Sequence, residues 1–240
     1  VMTSKCLINP EVRGYQDRIF TAGPVGWQGL PHIENHDFSA VIECALAQPG
    51  FAEDAAEERI PAGFARNTVM GVADTLLGMI KGGDVSNIFL IGGCDGARPG
   101  RNYFHDLAVA TPQDSLILTL GCGKFRFNRE DLGAINGIPR VLDMGQCNDA
   151  YSAIQVAVAV AGALDCEVND LPLHYGISWF EQKATAVLLT MLHLGLKKIH
   201  LGPTLPQFLT PEVLGVLVDK FEIRPTGDAK EDLARMLEAA

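Results

Sequence analysis

The sequence predicts an α/β protein whose strands form a parallel sheet with helices on both faces. Three observations carry that prediction. Short β-rich runs alternate with helical patterns along most of the chain, the order expected of strand-helix-strand units. Runs such as "NIFLIGG" and "SLILTLG" are apolar throughout, which suits strands buried on both faces. Several runs end in glycine and then turn polar at once, as in "LIGGCDGARPG", where a strand gives way to a loop.

In chain order, "DRIFTA" reads as the first strand candidate and "FSAVIECALAQ" as a helix, with Asp37 as its N-cap. The composition then shifts at "AQPGFAEDAAEERIPAG", an interdomain linker or exposed excursion. The domain boundary is therefore set near residue 63, giving domains over 1–63 and 64–240. After it come the helix "ARNTVMGVADTLLGMIKGG", the strand "NIFLIGG", the helix "NYFHDLAVA" and the strands "SLILTLG" and "IPRVLDMG". The helix "DAYSAIQVAVAVAGALDC", the strand "HYGISWF", the helix "EQKATAVLLTMLHLGL", the strand "KKIHLGP" and the helices "PEVLGVLVDKF" and "AKEDLARMLEAA" complete the pattern. Residues 64–240 thus read as a Rossmann-like three-layer domain.

Composition narrows the function classes. With 240 residues, 48% of them hydrophobic, the chain can bury one substantial core or two smaller ones. A net charge of −10 and the lack of a basic patch argue against a nucleic-acid partner. The longest apolar stretches, "AIQVAVAVAGAL" and "ATAVLLTMLHLGL", fall short of the roughly 18 to 20 residues that span a bilayer, so no membrane segment is expected. No basic stretch leads into an apolar one at the start, as a secretory signal requires. The cytoplasm is the expected compartment. The opening "VMTSKCLINP" begins in mid-strand style, which reads as the tail of a longer protein.

The six cysteines stand out against this frame. Cys94, Cys122 and Cys147 each lie at or just past the carboxyl end of a predicted strand, each with glycine nearby, and Cys6 follows "VMTSK" in the same way. Glu181 follows "HYGISWF". In open α/β sheets that edge is where ligands bind, because loops from neighbouring strands converge there. The cysteine spacings match one strand-helix-strand unit each and not a CxxC knuckle. A lone buried cysteine is ordinarily a small core residue, and Cys44 and Cys166, on helices among apolar neighbours, are read that way. Four thiolates and a carboxylate at one edge suit iron-sulfur chemistry better than a hard cation.

The segments "GGCDGARPGRNYF", "LGCGKFRFN", "GQCNDAYSA" and "SWFEQKA" resemble those of the hybrid-cluster protein family, also called prismane or hydroxylamine reductase. The resemblance extends to "TSKCLINP" near the start and "GPTLPQFLTPEVL" near the end, essentially the whole chain. It is this resemblance that implies residues 1–63 to be the remainder of a second α/β domain. It implies an oxidoreductase that reduces hydroxylamine to ammonia, or nitric oxide to nitrous oxide, at an iron-sulfur-oxygen hybrid cluster of the 4Fe-2S-2O type. Cys6, Cys94, Cys122 and Cys147 then match the cluster cysteines, Cys94 matching the one that carries a persulfide in the oxidised cluster. Glu181 matches the carboxylate ligand, and Lys183 a lysine that donates a proton to bound substrate. The family completes its cluster with an upstream histidine and a second glutamate, which have no counterpart here. A helical N-terminal domain with a second iron-sulfur cluster, of cubane 4Fe-4S or two-iron type, is implied only for the missing N-terminal part.

The remaining polar groups read as structural. "HIENHD" (His32, Glu34, His36, Asp37) has metal-ligand residue types but the spacing of a loop before a helix, and His105 with Asp106 fits a surface helix pair. His174, His193 and His200 are scattered. Neither a GxGxxG nor a P-loop motif appears, so electrons are expected from a separate reductase. The expected partners are thus a small nitrogen-oxide substrate, that reductase and the missing N-terminal domains. Two alternatives accompany this reading: a carbon monoxide dehydrogenase-related protein, and a non-catalytic α/β fragment, inactive alone.

Overall fold

The computed structural model describes residues 1–3, 9–94 and 101–238. These form two compact units, Val1–Glu58 and Arg59–Ala240.

The first unit has little regular structure. Helix α1 (Pro10–Arg13) is capped by Asn9, whose side chain accepts from the Glu11 N–H, and ends at Gly14 in the left-handed conformation (φ +65°). Strand β1 (Thr21–Ala22) pairs in parallel with β2 (His32–Ile33). Of the "DRIFTA" segment only two residues are strand, because β2 offers only two partners, and Gln16–Arg18 form a 3-10 turn instead. Helix α2 (Ser39–Leu46) follows, and the Asp37 carboxylate accepts from the Ser39 N–H at 3.0 Å, close to the capping role expected of it. Cys44 departs from expectation: α2 buries none of its residues, and the Cys44 thiol is half-buried, donating to the Asp17 carbonyl.

The second unit begins with α3 (Arg66–Gly71) and α4 (Ala73–Gly82). A single helix was expected there, but the chain leaves helical geometry at Val72 (φ −117°, ψ 18°), where a glycine and a β-branched valine, both weak helix formers, adjoin. Next come β3 (Asn87–Gly93), α5 (Tyr103–Ala110), β4 (Ser115–Thr119), the short antiparallel pair β5 (Ala134–Ile135) and β6 (Ile138–Pro139), β7 (Val141–Asp143) and α6 (Ala150–Leu164). After them come β8 (Leu173–Ser178), α7 (Gln182–His193), β9 (Ile199–Leu201), α8 (Pro211–Phe221), β10 (Arg224–Pro225) and α9 (Ala229–Glu238). The connection from β4 to β7 runs through a 3-10 turn at Cys122–Arg126 and the β5–β6 hairpin, not through the helix that the cysteine spacing suggested.

Six strands pair in parallel in the order β10-β9-β8-β3-β4-β7. The chain builds outward from β3 through β4 to β7, then returns across the sheet and builds outward again from β8. β3 and β8 therefore flank the point where strand order reverses, and the helices that follow them, α5 and α7, pack on opposite faces of the sheet. Side chains alternate across the sheet as strand geometry requires. Leu90, Leu116, Leu118 and Ile177 pack with α3, α4, α6, α7 and α8 on one face, while Phe89, Ile91 and Ile117 pack with α5 and α9 on the other. Each fully buried side chain of this kind contributes roughly 1.5–3 kcal/mol. These two layers hold the sheet rigid and leave its carboxyl edge to the loops.

Candidate metal centre

Four adjacent strands, β8, β3, β4 and β7, deliver the sequence-predicted residues to that edge. Cys94 directly follows β3, Cys122 opens the 3-10 turn after β4, Cys147 opens the 3-10 turn before α6, and Glu181 stands at the N-cap of α7 after β8. The spacing of Cys94 and Cys122 equals the offset at which β3 pairs β4, as in Asn87 opposite Ser115, and the ladder runs on to Gly93 opposite Gly121. The two cysteines thus leave the sheet side by side. Cys6 lies outside the described residues, as does the segment 95–100 after Cys94.

The backbone at this edge is closely packed. Gly93 (φ +111°) lies against β8: a Cβ there would stand 2.5 Å from both the Ser178 carbonyl and the Trp179 ring. Gly121 (φ +79°) lies against Gly93, and a Cβ on it would reach 3.4 Å from the Cys147 sulfur. The glycines that the sequence sets beside the thiols are therefore what lets three loops close on one another.

Cys94 is buried, Cys147 half-buried and Cys122 exposed, and none of the three is in a disulfide. The Cys94 and Cys147 thiols lie within hydrogen-bonding reach of each other. That contact, followed by burial, pushes the Cys94 thiol far above the usual thiol range, while the backbone N–H groups of Phe180 and Glu181, donating to its sulfur, oppose the rise. A cation at the edge inverts this balance, because a bound metal ion favours the thiolate outright. Glu181 is exposed and its side chain makes no capping hydrogen bond to α7, so its carboxylate is not used up in holding the helix. Lys183, half-buried in the first turn of α7, lines with Cys147, Asn148 and Tyr151 a groove of about 320 Å³ between α6 and α7.

Among the described residues, no three His, Cys, Asp or Glu side chains converge as a single ion would require. The donors are spread along four strand ends, an arrangement that suits a group of several metal atoms. Two further features fit such a group: the glycine cradle of Gly93 and Gly121, and the buried Trp179 Nε1 and Ser178 Oγ, which have no hydrogen-bond partner among the described residues. Thiolates joined by a carboxylate select iron in sulfide-rich form over magnesium or calcium.

Sequence reasoning missed a buried ion pair that joins the segments carrying Cys122 and Cys147. Lys124 and Asp143, with side chains 6% and 9% exposed, form an ion pair at 2.8 Å between the Cys122 turn and the β7 end. The usable signal was a lysine and an aspartate set inside apolar or glycine-rich runs, "GCGKF" and "RVLDMG", where an unpaired charge could not be buried. The residue types of "HIENHD" did not become a site: His32 Nδ1 and Thr21 Oγ1 lie 2.9 Å apart, and Asn35 and His36 occupy a left-handed turn. His105 contacts Asp106 and Glu130 at the surface.

Residues 1–234 match the model of the Prismane/CO dehydrogenase family. Curated relatives include a hydroxylamine reductase of Burkholderia lata, 59% identical over 99% of this chain and 42% of its own length. Another, of Thermodesulfovibrio yellowstonii, is 55% identical over 99% of this chain and 44% of its own length. The chain therefore spans less than half the length of the curated relatives it matches. Among solved structures, carbon monoxide dehydrogenase IV of Carboxydothermus hydrogenoformans superposes with a TM-score of 0.73 at 19% identity, covering 99% of this chain and 47% of that one. An acetyl-CoA synthase/carbon monoxide dehydrogenase described with NiZn[Fe4S4] and NiNi[Fe4S4] clusters gives 0.67 at 16% identity, over 99% and 44%. At such identities the likeness is one of fold.

Proposed function

Because the chain belongs to the Prismane/CO dehydrogenase family, we propose that the protein carrying it reduces hydroxylamine to ammonia, with Cys94, Cys122, Cys147 and Glu181 of this chain, together with Cys6, holding an iron-sulfur-oxygen hybrid cluster. The observation that carries this reading is the delivery of three thiols and a carboxylate from four adjacent strand ends to one edge, in a chain 55–59% identical to proteins named hydroxylamine reductase. The dehydrogenase alternative has the shared family model and a likeness of fold at 19% identity, against 55–59% identity to proteins named hydroxylamine reductase.

When bound, such a cluster supplies stored electrons and an exchangeable iron position. The chain's own residues do the rest. Conversion of hydroxylamine to ammonia and water consumes two electrons and two protons and breaks the N–O bond. Lys183, on the groove it shares with Cys147, donates a proton to the departing oxygen so that water leaves in place of hydroxide. The open side of the groove then lets solvent return the proton. Glu181, whose side chain makes no capping hydrogen bond, would hold the cluster through its carboxylate, a group that also serves as a proton acceptor. The amides of Phe180 and Glu181 hold the Cys94 sulfur in place and favour its thiolate. Nitric oxide is the second substrate this site would accept. The electrons come from a separate reductase, the protein works in the cytoplasm, and any second iron-sulfur cluster, of 4Fe-4S or two-iron type, belongs to parts outside this chain.

Anaerobic isolation of the protein carrying this chain, with iron, sulfide and nickel analysis and an assay of ammonia from hydroxylamine, tests the reading. Iron and sulfide without nickel, and turnover, are expected. Cys94→Ala is expected to lower iron content and turnover well below Cys166→Ala. Equal iron in both variants, or stoichiometric nickel, overturns it. The 240 residues expressed alone are expected to be inactive, since the histidine and second glutamate implied by the resemblance are not among them.

A further inference from the structure

We propose that Lys124 and Asp143 are positioning residues that fix the Cys122 and Cys147 loops relative to each other before any metal is bound. The inference rests on the reading of those thiols as cluster ligands. The two residues lie between those thiols in the chain: Lys124 two positions after Cys122, and Asp143 four before Cys147.

Four hydrogen bonds between and within the two loops meet at one residue pair, Asp143 and Gly145. Lys124 Nζ donates to Asp143 Oδ1 at 2.8 Å and to the Gly145 carbonyl at 3.0 Å. The Gly145 N–H donates to the same Asp143 oxygen at 2.9 Å, and the Gly121 N–H donates to the Gly145 carbonyl at 3.0 Å. Gly145 takes φ +114°, and a Cβ there would run into the Asp149 carboxylate, which accepts from the Gln146 N–H at 2.7 Å and sets the turn carrying Cys147. One ammonium and one carboxylate therefore hold the backbone next to each thiol.

Stability alone is a poor reason for this arrangement. A buried ion pair gains little over well-packed apolar side chains of the same volume, and its best-attested use is to specify one geometry among several. A multinuclear group held through loops from different strands would need that specification, because the relative placement of the thiolates has to be set by the protein.

The test uses the protein carrying this chain as Lys124→Met, Lys124→Arg and the paired Lys124→Met/Asp143→Leu variant, the last leaving no unpaired buried charge. Two readouts are taken. In metal-free protein, iodoacetamide labelling of Cys147 is followed against the half-buried Cys166 by peptide mapping. In loaded protein, iron per chain and the electron paramagnetic resonance spectrum are compared. Labelling of a half-buried thiol proceeds by local opening, so Lys124→Met and the paired variant are expected to speed Cys147 at least about fivefold while Cys166 stays unchanged. Loaded protein should contain less iron with an altered spectrum, and Lys124→Arg should restore part of both. A parallel rise at both cysteines assigns the pair to general stability and overturns the proposal. Unchanged labelling at both, or wild-type iron and spectrum in the paired variant, overturns it as well. Cys122→Ser and Cys147→Ser separate the two readings: if they keep full iron, the ligand assignment itself has failed, and the positioning role with it.

Discussion

Gly93 shows how much of the site depends on a single missing Cβ. Its φ of +111° lies where L side chains rarely go, and the space a methyl would need is filled by the Ser178 carbonyl and the Trp179 ring, both 2.5 Å away. Neither neighbour can move freely, since Ser178 ends β8 and Trp179 is 2% exposed. Gly93→Ala is therefore expected to cost on the order of 3 kcal/mol from backbone strain and overpacking, read as a lower urea midpoint. The same variant should spread β3 from β8 and so expose the Cys94 thiol to alkylation. The sequence already set glycine beside the cysteine at the strand end. Which atoms approach was not legible, because Trp179 and Ser178 lie 85 or more positions along the chain.

At the scale of elements, the edge is set by the ends of strands, and those ends are anchored by groups at the opposite edge. Arg140, 2% exposed, stands between β6 and β7 and donates from its guanidinium to the carbonyls of Ser115 (3.0 Å), Leu132 (2.9 Å) and Pro112 (2.5 Å) and to Thr111 Oγ1 (3.0 Å). It ties the start of β4 to the end of α5 and to the loop before β5. Arg140→Met leaves several buried carbonyls without donors and is expected to lower stability by about 3 kcal/mol in urea unfolding, with Arg140→Lys recovering only part because an ammonium cannot span the same fork of acceptors. The helices and apolar strands were legible from periodicity. The two-residue strands β2 and β10 were not, since a segment so short is a strand only by virtue of its partner.

Across the whole second unit, buried histidines couple stability to pH. Burial, then the nearby Lys198 and His200, pushes His174 down to about 4, and burial also lowers His200, partly offset by Asp232. The unfolded chain takes up protons on these imidazoles near pH 6.5, whereas in the folded protein His174 resists until near pH 4 and His200 is shifted in the same direction. Stability is thus full above about pH 6.5 and falls as pH drops toward 4, by about 3 kcal/mol for His174. Denaturant midpoints of wild type and His174→Gln between pH 7.5 and 4 check this, with a shallower decline expected for the variant. Asp232 behaves differently: burial opposes its ionisation, but Arg235, the Gly227 N–H and Tyr103 outweigh it and hold the carboxyl below its ordinary range, so the bond that docks α9 to α5 persists until more acid pH. The sequence by itself determined the α/β alternation, the apolar strands and the row of cysteines at strand ends, because periodicity, glycine placement and spacing along one strand are local properties. Only the tertiary structure decided that β8 lies beside β3, that the Cys94 and Cys147 thiols meet, and that Lys124 reaches Asp143. Strand order and buried charge pairing join residues distant in the chain, and such contacts take their energy from a core that exists only after all the layers have closed.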